Sequence, residues 1–304
     1  QVESKLQGIM GALVTAFHGD GSVDYETFEK QVNFLIDAGL PFIAHPMHIG
    51  ESPNLTVQER KDLATCLVKA AGGRVPTFVN VSMHGTDNML DMASHVETTG
   101  ATGMVVLSPY HWEPEREAHL DHFFTIGNSV DLKMIAYNNP RRVQGGISHD
   151  MLGEMIEKLP NLVALKDASF DMNFFTGACR VASGVRDNFS VFTGIEWLLT
   201  SIPVGGSGSF SNCAEVAPKM ILSLFDACMK GDYETARPLQ YKVGILLKLL
   251  QTNYPATVKY AMELLGRPVG GTRKPVLPLN DEAKAHTLET LESLGIMESE
   301  PRGW

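Results

Sequence analysis

Short apolar runs alternate with amphipathic segments along the first two thirds of the chain. An apolar run of four to eight residues between turn formers is typical of a buried strand, whereas apolar positions repeating every three or four residues predict a helix. The pattern predicts strands at 8–15, 41–49, 77–82, 103–108, 133–137, 161–167, 189–193 and 205–211, each separated from the next by a helical segment.

Helix-start signals support this alternation. Asp24 is expected to cap the first helix, and Thr56 with Glu59 forms a capping box for the second. Eight strands alternating with helices predict an α/β fold, a (β/α)8 TIM barrel, and the absence of a GxGxxG turn after the first strand argues against an open dinucleotide-binding sheet. After Val216 the strand signal disappears. We therefore expect a catalytic barrel at 1–215 and a C-terminal helical extension at 216–304, packed on the barrel.

Composition narrows the possible partners. The chain has 304 residues, 44% of them hydrophobic, and a net charge of -10, which argues against a nucleic-acid partner. No apolar run approaches the roughly 20 residues that span a bilayer, and no basic segment precedes an apolar one at the N-terminus. The four cysteines are widely spaced and lack a CxxC pair, which favours reduced thiols. These features predict a soluble, cytoplasmic protein with no membrane partner.

One strand carries the main candidate for chemistry. The segment NLVALKDAS places Lys166 near the end of an apolar run, on the same strand face as the small Ala164. Burial favours the neutral form of a lysine, and a neutral amine attacks a carbonyl carbon to form a Schiff base. The alternative is a lysine that ends an edge strand and points into water.

The other strand ends add compatible groups, because the reactive residues of such barrels gather at the carboxyl ends of the strands. A phenol shuttles protons, and basic side chains and tight glycine-rich turns hold carboxylates. The candidates at these ends are Tyr137 as a proton shuttle and His48, Ile49, Tyr110, His111, Arg142, Gly206 and Ser207 as substrate-binding residues. Together they favour a small anionic carbonyl compound as the substrate.

Several short motifs occur in the same order and with the same spacing as in one protein family. The motifs are GALVTAFHGDGSVDYETF, GES at 50–52, PY at 109–110, YNNP at 137–140, ALKDAS at 164–169 and GGSGSFSNCAEVAP at 205–218. The chain is similar over nearly its whole length to the dihydrodipicolinate synthase and N-acetylneuraminate lyase family, pyruvate-dependent class I lyases and aldolases. The resemblance implies a Schiff base through Lys166, Tyr137 as the proton shuttle, and Arg142 as a ligand of the second substrate's carboxylate. It also implies no metal or other cofactor, a 2-oxo acid such as pyruvate as the substrate, and a homotetramer or homodimer.

Two departures from the family pattern bear on specificity. Relatives have a glycine and two hydroxyl residues where this chain has Met47, His48 and Ile49, and the synthases have a second tyrosine where it has His111. These changes remove parts of a proton relay, so we expect a lyase, aldolase or dehydratase of another 2-oxo acid and not the lysine-biosynthesis enzyme. The alternatives are an authentic 4-hydroxy-tetrahydrodipicolinate synthase, a barrel that binds a 2-oxo acid without turnover, and a metal-dependent aldolase using strand-end histidines.

Overall fold

Eight parallel strands close into a barrel in chain order. A computed structural model describes residues 4–304. The strands are β1 Gly8–Ala12, β2 Phe42–His45, β3 Thr77–Asn80, β4 Gly103–Leu107, β5 Lys133–Asn138, β6 Leu162–Asp167, β7 Ser190–Thr193 and β8 Gly208–Ser211. Almost all of their residues are buried, as expected for parallel strands covered on both faces. The predicted (β/α)8 barrel is confirmed.

A helix lies between each strand and the next, and the elements after β8 are all helical. They are α1 Tyr25–Asp37, α2 Val57–Ala71, α3 Thr86–Thr99, α4 Arg116–Gly127, α5 His149–Lys158, α6 Met172–Val185, α7 Leu198–Ser201, α8 Pro218–Lys230, α9 Tyr233–Gln251, α10 Ala256–Leu264, α11 Asp281–Ser293 and α12 Ile296–Ser299. The predicted caps are present: the Asp24 carboxylate accepts from Thr27 N, and both hydrogen bonds of the Thr56–Glu59 capping box form.

The first, second and eighth strands are each at least three residues shorter than the sequence predicts, and the first ends at Ala12 instead of residue 15. The second was expected to run to Ile49 but ends at His45, and the one-turn 3-10 helices His48–Gly50 and Ser52–Asn54 follow it. The eighth was expected to start at Gly205 but starts at Gly208. Gly205 and Gly208 have φ of 108° and 144°, a backbone conformation that glycine adopts readily and that interrupts a regular strand. The pattern of apolar and polar residues does not reveal these φ values.

Contacts along the chain define two compact units. One comprises Pro76–Phe210 with residues 4–8, and the other comprises Ile9–Val75 with Ser211–Trp304. This grouping does not test the predicted boundary after residue 215, which stays a prediction. The four cysteines are free thiols. Across residues 4–304, no helix combines the length and apolar character needed to cross a membrane.

Candidate active site

Lys166 and Tyr137 are neighbours across two adjacent strands. In the parallel pairing of β5 with β6, Tyr137 is the register partner of Lys166, and Asn138 is the partner of Asp167. The Lys166 Nζ lies 4.0 Å from the centroid of the Tyr137 ring. The structure therefore brings together the predicted nucleophile and the predicted proton shuttle.

The environment of Lys166 favours a neutral amine. Its side chain is buried, with 5% of the residue exposed, so the reading of a lysine pointing into water is wrong. Within residues 4–304 its Nζ donates no hydrogen bond and forms no ion pair. Burial lowers the pKa of Lys166 to about 7, although the charge of Glu196 acts in the opposite direction. A substantial fraction of the amine is therefore unprotonated, and nucleophilic, near neutral pH.

A second aromatic ring bounds the lysine. The Lys166 Nζ lies 4.5 Å from the centroid of the Phe210 ring, which β8 supplies. Phe210 is 1% exposed and its ring packs edge-on against Phe192 at 6.0 Å. The rings of Tyr137 and Phe210 exclude water from the Lys166 amine and contribute to the burial that lowers its pKa. The sequence analysis missed Phe210, although strand alternation from Gly208 would place it on the same face as that glycine.

Tyr137 is held as a neutral phenol. Burial raises its pKa well above the ordinary value. Its hydroxyl oxygen accepts a hydrogen bond of 2.8 Å from the Asn139 Nδ2, which fixes the position of the phenol beside Lys166. Asn139 is a further functional residue that the sequence analysis missed, since only the alternation of Tyr137 and Asn139 along one strand face pointed to it.

Three other predicted residues lie in loops that follow β4 and β5. Tyr110 and Arg142 both act electrostatically on the Tyr137 phenol, Tyr110 raising its pKa and Arg142 lowering it. His111 is exposed, adopts a positive φ of 70°, and its ring packs edge-on against Trp112 at 5.3 Å. The structure thus groups Tyr110 and Arg142 with Tyr137, whereas His111 faces outward at the surface of this chain.

Gly206 and Ser207 do not lie where the sequence analysis expected them. Both precede β8, and their N–H groups already donate to Ser201 O and Val191 O, each at 2.8 Å. The Ser207 carbonyl in turn accepts from Gly8 N. These backbone groups are engaged within the protein, and the predicted carboxylate contact of Gly206 and Ser207 stays a prediction. The residue of the predicted 205–211 segment that reaches Lys166 is Phe210, in β8.

His48 and Ile49 form the turn after β2. Ile49 is fully buried and His48 is half-buried. The turn is held to the segment that follows β1, because the Thr15 hydroxyl donates to Gly50 O at 2.6 Å and contacts His45 Nε2 at 2.8 Å. Burial lowers the pKa of His45 to about 3, so that ring is neutral. Since the Thr15 hydrogen goes to Gly50, the His45 Nε2 carries the proton that the Thr15 oxygen accepts.

No metal site was found among the described side chains. In the part of the chain from residue 4 to 304, no three His, Cys, Asp or Glu side chains are grouped so that they could hold a metal ion. The strand-end histidines considered for a metal-dependent aldolase are therefore not assembled into a ligand set.

Comparisons with known proteins agree with this site. The sequence profile of the dihydrodipicolinate synthetase family matches residues 5–294. The 4-hydroxy-tetrahydrodipicolinate synthase of Methanosarcina mazei is 32% identical over 299 residues, which cover 96% of this chain and 99% of that protein. The crystal structure of dihydrodipicolinate synthase from Thermotoga maritima has a TM-score of 0.91 and 26% identity, covering 96% of this chain and 99% of that one.

A dihydrodipicolinate synthase from Bacillus anthracis gives a TM-score of 0.90 and 29% identity, and covers 99% of this chain and 100% of that one. Because relatives of this similarity carry the synthase name, the expectation that this chain is not that synthase is not supported. The profile match over nearly the whole chain and the buried lysine at the end of β6 place the protein in the dihydrodipicolinate synthetase family of class I, Schiff-base-forming lyases.

Proposed function

We propose that the protein forms a Schiff base between Lys166 and the keto carbon of pyruvate or a related 2-oxo acid, and uses it to make or break a carbon–carbon bond. The observation that carries the proposal is the pKa of about 7 of the buried Lys166, whose Nζ lies over the Tyr137 ring. An ordinary surface lysine is almost fully protonated at neutral pH and is a poor nucleophile.

The proposed reaction starts from the neutral amine. Its nitrogen attacks the keto carbon, the carbonyl oxygen takes a proton, and the nitrogen gives one up to form a carbinolamine. Protonation of the hydroxyl releases water and leaves an iminium ion, with Tyr137 carrying protons between these atoms. Loss of a proton from C3 gives an enamine that adds to an aldehyde, and the reverse sequence cleaves the same bond. Elimination of a β-hydroxyl from the same intermediate would make the enzyme a dehydratase.

Arg142 and the turn after β2 are the proposed carboxylate ligands. Arg142 acts on the Tyr137 phenol and is exposed, which suits a ligand of the second substrate. In the turn after β2, Gly50 N donates to Met47 O and Glu51 N donates to His48 O, and the N–H of Ile49 between them is the backbone donor that we propose for the carboxylate, with His48 next to it in the chain. Carboxyl ends of parallel barrel strands gather at one end, where substrates of such barrels bind.

Two reactions fit this chemistry. Formation of 4-hydroxy-tetrahydrodipicolinate is supported by the name that relatives about one-third identical carry. Cleavage or dehydration of another 2-oxo acid is supported by His48, Ile49 and His111, which replace the hydroxyl residues and the tyrosine of the family pattern. We propose no cofactor beyond the covalent Schiff base, and propose a homodimer or homotetramer as the active form.

Trapping with borohydride tests the Schiff base. Incubation with pyruvate and sodium borohydride should inactivate the protein and add the mass of the reduced adduct at Lys166. Lys166→Ala should prevent labelling and abolish turnover, whereas Tyr137→Phe should slow turnover roughly 100-fold, the usual size of a lost proton transfer. A panel of 2-oxo acids and aldehydes, assayed for pyruvate uptake or release, should then separate the two reactions. Full activity in the Lys166→Ala protein, or labelling elsewhere, would refute the proposal.

A further inference from the structure

The turn after β2, which carries His48 and Ile49, ends on a residue in a strained conformation. Glu51 has a φ of 57° and a ψ of 39°, the left-handed region that residues other than glycine rarely adopt. Its side chain is nevertheless buried, with 2% of the residue exposed. Since glycine would adopt this conformation without steric cost, the contacts of the Glu51 side chain must offset the strain.

Two groups from distant parts of the sequence hold the Glu51 carboxylate. Lys259 Nζ, in α10, donates to Glu51 Oε2 at 2.8 Å, and Arg273 N donates to Glu51 Oε1 at 2.8 Å. The side chains of Lys259 and Glu51 are only 2% and 1% exposed. Both carboxylate oxygens are therefore engaged by the protein, and the side chain holds one position.

The Arg273 side chain extends these contacts to the residues around Glu51. Its guanidinium donates to both carboxylate oxygens of Glu59, at 2.6 and 2.7 Å. It also donates to the carbonyl oxygens of Gly21 and Asn54, at 2.8 and 3.0 Å. Asn54 ends the one-turn 3-10 helix that directly follows Glu51, so Arg273 binds the chain at two points three residues apart.

Phe17 is a common neighbour of the two cationic side chains. Lys259 Nζ lies 4.4 Å and Arg273 Cζ lies 4.5 Å from the centroid of its ring. The Phe17 N–H donates to Val269 O at 3.0 Å, and Lys259 Nζ donates to Gly271 O at 2.6 Å. These bonds fix the loop that carries Arg273 next to the buried pair of Lys259 and Glu51.

The turn itself is anchored directly after the two predicted substrate ligands. Gly50 is held by the Thr15 hydroxyl and Glu51 by the cluster just described, and these residues follow His48 and Ile49 in the chain. A backbone donor that already occupies the bound position loses less conformational entropy when a ligand arrives. An anchored turn should therefore bind a carboxylate more tightly than a loose one.

Residues near the C-terminal end of the chain thus reach the turn that is our proposed carboxylate ligand. We propose that Lys259 and Arg273 are positioning residues for substrate binding, which hold this turn through Glu51 so that Ile49 N and His48 meet the carboxylate of the 2-oxo acid. Loosening the turn should weaken binding of the 2-oxo acid and leave the attack on a bound keto carbon unchanged. This inference rests on the proposed Schiff-base function.

The concentration dependence of trapping tests the proposal, because it separates binding from chemistry. The rate of inactivation by pyruvate with cyanoborohydride gives two values, the half-saturating pyruvate concentration and the limiting rate constant at saturation. Neither value depends on how much of the sample is folded. A loss of stability alone therefore changes neither of them.

The main variant is Glu51→Gly/Lys259→Met. It removes both charges of the buried pair, so no unpaired charge stays in the interior, and glycine suits the φ of 57°. The half-saturating pyruvate concentration should rise roughly tenfold or more, while the limiting rate constant changes by less than about twofold. A half-saturating concentration within about twofold of the wild-type value, or a limiting rate constant that falls as far as binding weakens, would overturn the proposal.

Arg273→Met tests the second anchor and leaves the pair of Glu51 and Lys259 intact. The half-saturating concentration should rise about 2- to 5-fold, a smaller change because the backbone N–H at position 273 still binds Glu51. Arg116→Met is the matched control, since the Arg116 guanidinium of α4 also donates to two carboxylates, both of α5. It should change neither value, and a rise as large as that of Arg273→Met would overturn the proposal.

Labelling of the wild-type protein separates this inference from the proposed function. Absence of pyruvate-dependent labelling at Lys166 would refute the Schiff base itself, and the inference with it. Saturable labelling of the wild-type protein, with unchanged half-saturating concentrations in both variants, would overturn the inference alone and leave the Schiff base in place.

Discussion

The protein buries two lysines that share an aromatic neighbour and differ in their hydrogen-bonded and charged neighbours. Lys166 is 5% exposed and Lys259, in α10, is 3% exposed. Each Nζ lies over a phenylalanine ring, that of Lys166 at 4.5 Å from Phe210 and that of Lys259 at 4.4 Å from Phe17. Burial and contact with an aromatic face are therefore common to both lysines.

Hydrogen bonding distinguishes them. Lys259 Nζ donates to Glu51 Oε2 at 2.8 Å and to Gly271 O at 2.6 Å. Burial lowers the pKa of Lys259, and the Glu51 carboxylate opposes that change. Lys166 has only the more indirect charge of Glu196 acting on it, and its pKa falls to about 7.

A carboxylate that accepts a hydrogen bond from the lysine therefore distinguishes the structural Lys259 from the reactive Lys166. Lys259 remains an ammonium that joins α10 to the turn after β2, since Glu51 belongs to that turn. Arg273 N donates to the same carboxylate at 2.8 Å and strengthens the connection. Lys166 lacks such a partner and its amine is available for reaction.

Substitution by methionine should separate the two lysines most strongly. Lys259→Met leaves the Glu51 carboxylate buried without its ion-pair partner, and we expect a loss of about 3–5 kcal/mol in the free energy of unfolding. Lys166→Met removes a buried amine that has no carboxylate partner, and stability should be unchanged or higher. Urea unfolding followed by circular dichroism measures both changes.

The double variant Glu51→Gln/Lys259→Met is the control for this experiment. It removes both charges, so most of the loss caused by Lys259→Met should be recovered. If Lys259→Met costs no more than Lys166→Met, the carboxylate does not distinguish the two sites.

The reactive lysine was predictable from sequence because its signals are local. An apolar strand ending in lysine and a tyrosine in the neighbouring strand are both visible in short segments, and the barrel fixes where such strands end. The turn that contains His48 was harder to predict from the sequence. Pro46 follows a cis peptide bond after His45, and the chain then enters a 3-10 turn, so alternation stops four residues before the expected strand end.

The partners of these residues could not be predicted. Glu51 and Lys259 are separated by 208 residues, and periodicity carries no information on contacts at that distance. Arg141, Phe170 and Trp197 contact one another across three loops, and no helical or strand pattern relates these residues. The sequence analysis placed a carboxylate site in the glycine-rich segment at the start of 205–211, because the amides of such segments suit anion binding. In the structure, the N–H groups of Gly206 and Ser207 donate to backbone carbonyls.

The pH dependence of adduct formation tests the state of Lys166. The rate of pyruvate-dependent inactivation by cyanoborohydride should rise as pH increases through about 7 and then level off. Stability should follow a related course. Between about pH 7 and the ordinary lysine pKa of 10.5, the unfolded chain binds a proton at Lys166 that the folded chain does not. The contribution of Lys166 to the free energy of unfolding therefore increases with pH over this range.

That contribution is lost as pH falls through 7. Lys166→Met should lack both the inflection and this part of the stability change, whereas Lys259→Met should retain them. An inflection near 10 in the wild-type protein would show that Lys166 is protonated like a surface lysine.

Replacing the carboxylate of Glu196 should have the smallest effect. Glu196 is fully buried, and its charge is the influence that raises the pKa of Lys166 against the effect of burial. Glu196→Gln keeps the shape and removes the charge, so the inflection in the inactivation rate should move to lower pH, by about one unit or less. Glu157→Gln, an exposed glutamate of α5, should leave it in place. A shift to higher pH would mean that Glu196 excludes solvent from Lys166 more than it stabilises the ammonium ion, and the contrast with Glu51 would then rest on geometry instead of charge.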